Sequence, residues 1–142
     1  MRIADVVKRK GDAVVTVRPD ATVTELLALL AEHRIGAVVV SGDGSSVHGI
    51  VSERDVVRHL HSDGAGALDA PVEQIMTADV HTCTPDDSLE DLATRMTERR
   101  IRHVPVVVDG ALGAIVSIGD IVKFRIDTLQ AERDQLRDYI QQ

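Results

Sequence analysis

Gly49-Ile50-Val51-Ser52-Glu53-Arg54-Asp55 and Ala114-Ile115-Val116-Ser117-Ile118-Gly119-Asp120 follow one pattern, a short apolar run leading into Ser-x-x-Asp. Each reads as a strand passing directly into a helix, with the serine as cap and the aspartate reaching back to it. Outward from these junctions the two halves stay in step. Pro19-Asp20 falls on Pro85-Asp86 at an offset of 66, and Thr22, Val23, Glu25 and Leu26 fall on Ser88, Leu89, Asp91 and Leu92. Glu32-His33-Arg34-Ile35 then meets Glu98-Arg99-Arg100-Ile101, and Val38 and Val40 meet Val104 and Val106. A one-residue loop difference brings the offset to 65 at the junctions themselves. A repeat of this length means one structural unit used twice.

Each unit reads as strand, helix, strand, strand, helix. Thr22-x-x-Glu25 and Ser88-x-x-Asp91 are capping-box starts for helices with Leu26, Leu27 and Leu30, or Leu92 and Met96, on one face. The strands Ala37–Val40 and Val104–Val108 follow, then turns at Gly42-Asp43-Gly44 and Asp109-Gly110, then the junction strands. Three short strands and two helices leave an apolar face open, so two copies must pack about a pseudo-twofold axis, with two clefts at their junction. The expected fold class is therefore α/β, with β-α-β-β-α repeats over residues 3–62 and 72–125. Residues 63–71 form a flexible linker ending at Pro71, which suits the first position of a short helix through Met76. The expected tail covers 126–142, and Val122, Ile126, Leu129, Leu136 and Ile140 form an apolar helical stripe running into it that needs a partner surface.

Composition narrows the function classes. Aromatics make up 1% of the 142 residues and the net charge is −7. That leaves no stacking platform for single strands and a surface that repels phosphate backbones and anionic lipid, so neither nucleic acid nor membrane is an expected partner. One cysteine, Cys83, and no signal-peptide core suggest a cytoplasmic protein. His59-x-His61 and His81-x-Cys83, the latter expected on one strand face, lack a second pair to complete a metal site. No nucleophile elbow, phosphate-binding P-loop or dinucleotide fingerprint occurs, and no catalytic activity is expected.

The doubled junctions, the doubled Pro-Asp-x-[Ser/Thr] helix starts and Arg102-His103-Val104-Pro105-Val106 together resemble the cystathionine-β-synthase (CBS) domain pair, or Bateman module, in its small stand-alone bacterial form. The resemblance spans residues 3 to 125. It implies a regulatory module that binds adenosine-bearing ligands (AMP foremost, also ADP, ATP, NAD(H) or S-adenosylmethionine) in its clefts, assembles as a homodimer, and signals to a client protein. A ligand-free interaction module and a metal or redox sensor are the alternatives. Carried onto this sequence, one site combines Ser117, Asp120, Arg102 and His103 with Ile35 and Gly36. The other combines Ser52, Arg54 and Asp55 with Ile101 and the segment near Met76 and Thr77. The aspartates would accept from ribose hydroxyls, while the serines and free helix N–H groups face phosphate. Lys10 stays a candidate through its nearness to a cleft, although a solvated loop is the commoner fate of such a basic run. Arg99 and Arg100 read first as a cationic helix end. Unlike cations, Arg54 against Gly119 and Arg102-His103 against Gly36-Ala37, predict two sites of unequal affinity.

Overall fold

The structure, a computed structural model, describes residues 1–11 and 13–141; Gln142, the last residue of the expected tail, lies outside them. Helix α1 (Ile3–Lys10) is followed by β1 (Thr16–Val17), α2 (Val23–His33), β2 (Ala37–Val40), β3 (Gly49–Ser52) and α3 (Glu53–Asp63). Two 3-10 turns, Gly64–Asp69 and Val72–Gln74, lead to α4 (Leu89–Arg99), β4 (His103–Val108), β5 (Ala111–Ser117) and α5 (Ile118–Gln141).

Local chemistry explains these boundaries. Thr22 and Ser88 accept hydrogen bonds from the backbone N–H of Glu25 and Asp91, satisfying a free donor at the start of α2 and α4. Both helices stop in the left-handed region at matching arginines, Arg34 (φ 54°) and Arg100 (φ 55°). Asp109 and Gly110 both have positive φ, as a two-residue hairpin turn between twisted strands requires. Gly42-Asp43-Gly44, by contrast, sits in a longer loop. There the Asp43 carboxylate collects bonds from Ser41, Ser45 and Ser46, which hold its pKa far below the usual range.

The first sheet has the order β1-β2-β3, with β1 parallel and β3 antiparallel to β2. The second repeats its register, Val104 facing Val116 as Val38 faces Val51. Its expected first strand shrinks to a single parallel bridge between Cys83 and Val106, held by bonds to Pro105 and from Val107. His81 therefore shares no strand face with Cys83. Pro71 precedes the 3-10 turn as its cap and does not form its first residue. The connection expected to be flexible is a structured turn with Ala67 buried and the Leu68 carbonyl accepting from the Thr24 hydroxyl.

Two aliphatic cores result, and each borrows from the other repeat. Val17, Val23, Leu26, Leu30, Val38, Val40, Val51 and Val56 pack with Val72 and Ile75, which precede the second repeat's sheet. Leu89, Leu92, Met96, Val104, Val106, Val116 and Ile121 pack with Ile3 and Val6 of α1. Equivalent backbone bonds dock the exchanged segments, Ile3 N–H to Asp87 and Val72 N–H to Ala21. Each half thus completes its core only in the presence of the other.

Candidate functional site

Between the halves a cleft of about 240 Å³ opens at the start of α3. Its floor is built by the first junction. Ser52 donates from its backbone N–H (2.9 Å) and hydroxyl (3.1 Å) to Asp55 Oδ2, while Asp55 N–H returns a long bond to Ser52 Oγ at 3.4 Å. Glu53 and Asp55 are favoured in this first turn by the free N–H groups and the helix dipole. Asp55 Oδ1 has no hydrogen-bond partner among the described residues. The capping box is thus compatible with a carboxylate oxygen left available for a ligand.

The walls come from both repeats. Gly36, Ala37 and Ile50 belong to the first, Arg100, Ile101, Arg102 and His103 to the second, and Thr77, Asp79, Val80 and His81 to the segment between them. The Ile50–Thr77 bridge, two backbone bonds of 2.9 Å, holds that segment against β3. Gly49 is required there: a Cβ would lie 2.5 Å from Met76 Sδ and 2.8 Å from the Thr77 carbonyl.

Four guanidinium groups, on Arg54, Arg58, Arg100 and Arg102, line this cleft. None makes an ion pair among the described residues, whereas Arg2, Arg9, Arg18, Arg95 and Arg133 do. Arg54, Arg100 and Arg102 also wall an adjoining hollow with Met96, Ile101 and Ile118. The acids Glu53, Asp55 and Asp79 line the same cleft, so four arginines against three carboxylates leave a small positive excess in a chain of net charge −7. Burial, helped by the charge of Lys10, pushes the His103 pKa down, with Arg102 adding to the effect and Asp120 and Glu53 opposing it. His103 therefore lies between the two junctions, within the field of both.

Sequence reasoning grouped these residues differently. Arg102, His103 and Gly36, expected with Ser117 and Asp120, line the cleft at Ser52, Arg54 and Asp55 together with Ile101 and Thr77, while His103 still faces Ser117 across β4–β5 and the Arg102 carbonyl accepts from the Ile118 N–H. Residues at the starts of β2 and β4 thus open into this one space. Ile35 instead packs against the first core. Ser117 and Asp120 form an equivalent box (2.9 and 3.1 Å), but Lys10 Nζ lies 2.6 Å from Asp120. Met76 also packs on the first core. Ala37, Ile50, Glu53, Arg58, Asp79, Val80 and His81 were missed, and Arg100, read first as a cationic helix end, lines the cleft too; Arg58, one turn after Arg54 on the same helix face, had a signal in the sequence.

The histidines and cysteine separate in space. His59 pairs with Asp63 at 3.5 Å and His81 with Arg99 at 3.3 Å, while Cys83 is buried. Burial and the nearby Asp87 raise the Cys83 thiol to about 11 despite Arg95, leaving it protonated at neutral pH.

The CBS domain model matches the sequence twice, over residues 3–62 and 72–127. The chain belongs to the CBS-domain family. This CBS pair is 33% identical over 147 residues to the CBS domain-containing protein CBSX3, mitochondrial, of Arabidopsis thaliana, a match spanning 98% of this chain and 71% of the relative. The crystal structure of the CBS-domain containing protein ATU1752 from Agrobacterium tumefaciens superposes with a TM-score of 0.84 at 44% identity, over 88% of this chain and 99% of that one. The CBS domain pair of protein MJ0100, solved with 5-methylthioadenosine and S-adenosyl-L-methionine, shares the fold at a TM-score of 0.78 and 23% identity, over 90% and 98% of the two chains. Among the described residues of the CBS pair, no helix is long and apolar enough to cross a membrane.

Proposed function

We propose that this CBS pair is a non-catalytic, cytoplasmic sensor that binds an adenine nucleotide (AMP, ADP or ATP) in the Ser52–Asp55 cleft and reports its occupancy to a partner. The observation that carries the reading is the convergence of four unpaired arginines with a half-free carboxylate at a helix start. The carboxylate suits the ribose hydroxyls, the guanidinium groups and helix N–H groups suit phosphate, and Ile50, Val80 and Ile101 supply apolar walls for a base. The adenosine ligands of MJ0100 support the ligand class.

Because the walls come from both repeats, a ligand that draws α3 toward the start of β4 changes the pose of the halves. That change signals only to the extent that the ligand prefers one pose. Val57 on α3 and Val122, Ile126 and Leu129 on α5 are exposed, and these apolar side chains support assembly as a homodimer with a client reading its geometry. Thermal shift with AMP, ADP, ATP, NAD(H) and S-adenosylmethionine tests the reading. A nucleotide at 100 times its Kd stabilises by about 2.7 kcal/mol, and Asp55→Ala abolishes that shift. No shift with any of the five favours a ligand-free interaction module instead.

A further inference from the structure

The two junctions correspond residue for residue, with Ile50, Ser52 and Asp55 matching Ile115, Ser117 and Asp120. Their surroundings do not correspond. At the first, the Ile50 carbonyl is bonded by the Thr77 backbone N–H and Asp55 is bonded only by its own cap. At the second, Lys10 Nζ donates to the Ile115 carbonyl at 2.7 Å and to Asp120 Oδ2 at 2.6 Å. One ammonium group takes both the strand carbonyl and the carboxylate. The pair is about two-thirds shielded or more, with side-chain exposures of 32% and 25%, so water competes weakly for it.

Chain length explains why only one junction is treated this way. Ile3 and Val72 dock equivalently, but Ile3 lies fourteen residues before Val17 and Val72 only eleven before its counterpart Cys83. The three extra residues let α1 run a turn further than the 3-10 turn at Val72–Gln74, and its last turn is Lys8-Arg9-Lys10. Arg9 holds that turn in place, lying 5.8 Å from the Phe124 ring centroid and 3.9 Å from Asp127 on α5. Lys10 is thereby aimed along the surface at Asp120.

We infer that Lys10 is an internal plug that occupies the second ribose-binding position, so that this CBS pair takes one nucleotide per chain, at Asp55, and Lys10 decides which cleft is used. The inference rests on the proposed nucleotide binding and deepens it. Desolvation alone would raise the Asp120 carboxyl, but the Lys10 and Ser117 hydrogen bonds and the Lys10 charge outweigh it and hold it ionised, as a plug requires.

Isothermal titration of the full chain with ADP decides the matter. The wild type saturates at one equivalent per chain, and Asp55→Asn weakens binding at least tenfold. Lys10→Met exposes a second equivalent, while Lys10→Arg, which keeps the cation, stays at one. Two equivalents in the wild type, or an Asp55→Asn protein that still binds one equivalent at full affinity, overturn the inference and leave nucleotide binding standing. A Lys10→Met protein that remains folded by circular dichroism and stays at one equivalent overturns the role of Lys10. No heat from the wild type or Lys10→Met removes nucleotide binding itself, and the inference with it.

Discussion

Arg100 carries two properties that pull against each other. Its backbone lies at φ 55°, where a side chain is unfavourable by roughly 1 kcal/mol relative to glycine, and its guanidinium lines the cleft with no acidic partner among the described residues. Its counterpart Arg34 has the same backbone but is not among the cleft-lining residues. Arg100→Gly is therefore expected to raise the melting temperature by a few degrees while weakening ADP binding severalfold. Arg34→Gly raises it similarly and leaves binding unchanged; calorimetry and thermal melts separate the two. His103 gives the pH dependence. Its folded pKa is depressed below the ordinary ~6.5, so both states carry the neutral ring above that value. As pH falls below ~6.5 the unfolded chain takes up a proton first, and stability declines until the folded pKa is passed. Melting curves of the ligand-free protein between pH 7.5 and 5 should show this decline, and His103→Gln should flatten it.

At the scale of elements, the capping boxes and the Asp109-Gly110 turn are local devices, readable in the sequence because their chemistry lies within a few residues; the αL helix ends at Arg34 and Arg100 were not, since neither position carries a glycine. Helix α5 is different. It runs without a break from the second junction to Gln141, about 36 Å, straight across the repeat boundary expected at residue 125. Nothing in its sequence halts it, since it holds no proline and its one glycine, Gly119, sits in the first turn. Its buried anchor is Ile121, whereas Leu129, Leu136 and Ile140 stay exposed. If a second copy covers this stripe, Leu129→Asp with Leu136→Asp lowers the mass found by light scattering to that of one chain and leaves the melting temperature of the dilute protein nearly unchanged. Unaltered mass would mean that the copies meet elsewhere, or do not meet.

For the whole molecule, the exchange of leading segments makes the two halves one cooperative unit. Ile3 and Val6 are almost fully buried in the second core, so deleting residues 1–10 removes support from the half farther along the chain. Truncating a single large buried aliphatic typically costs about 2–5 kcal/mol, and this deletion removes two buried aliphatic side chains. Hydrogen exchange on the deleted protein should show protection lost first in β4, β5 and α4, with β2 and β3 affected less. Equal loss in both halves would mean that the cores do not open separately.

The sequence by itself determined the repeat, the helix starts, the two-sheet α/β class and the pairing of Ser52 with Asp55 and of Ser117 with Asp120. All of these rest on periodicity or on contacts three residues apart. Only the tertiary structure decided which residues share a cleft. It kept Arg102 and His103 beside Ser117 while opening them, with Gly36, onto the Asp55 cleft, added Glu53, Arg58, Asp79, His81 and Arg100 there, and set Lys10 on Asp120 from 110 positions away. Contacts across so long a separation follow from how the exchanged segments seat in the two cores. Three extra residues before β1 then leave one carboxylate partly free and the other held by an ammonium group.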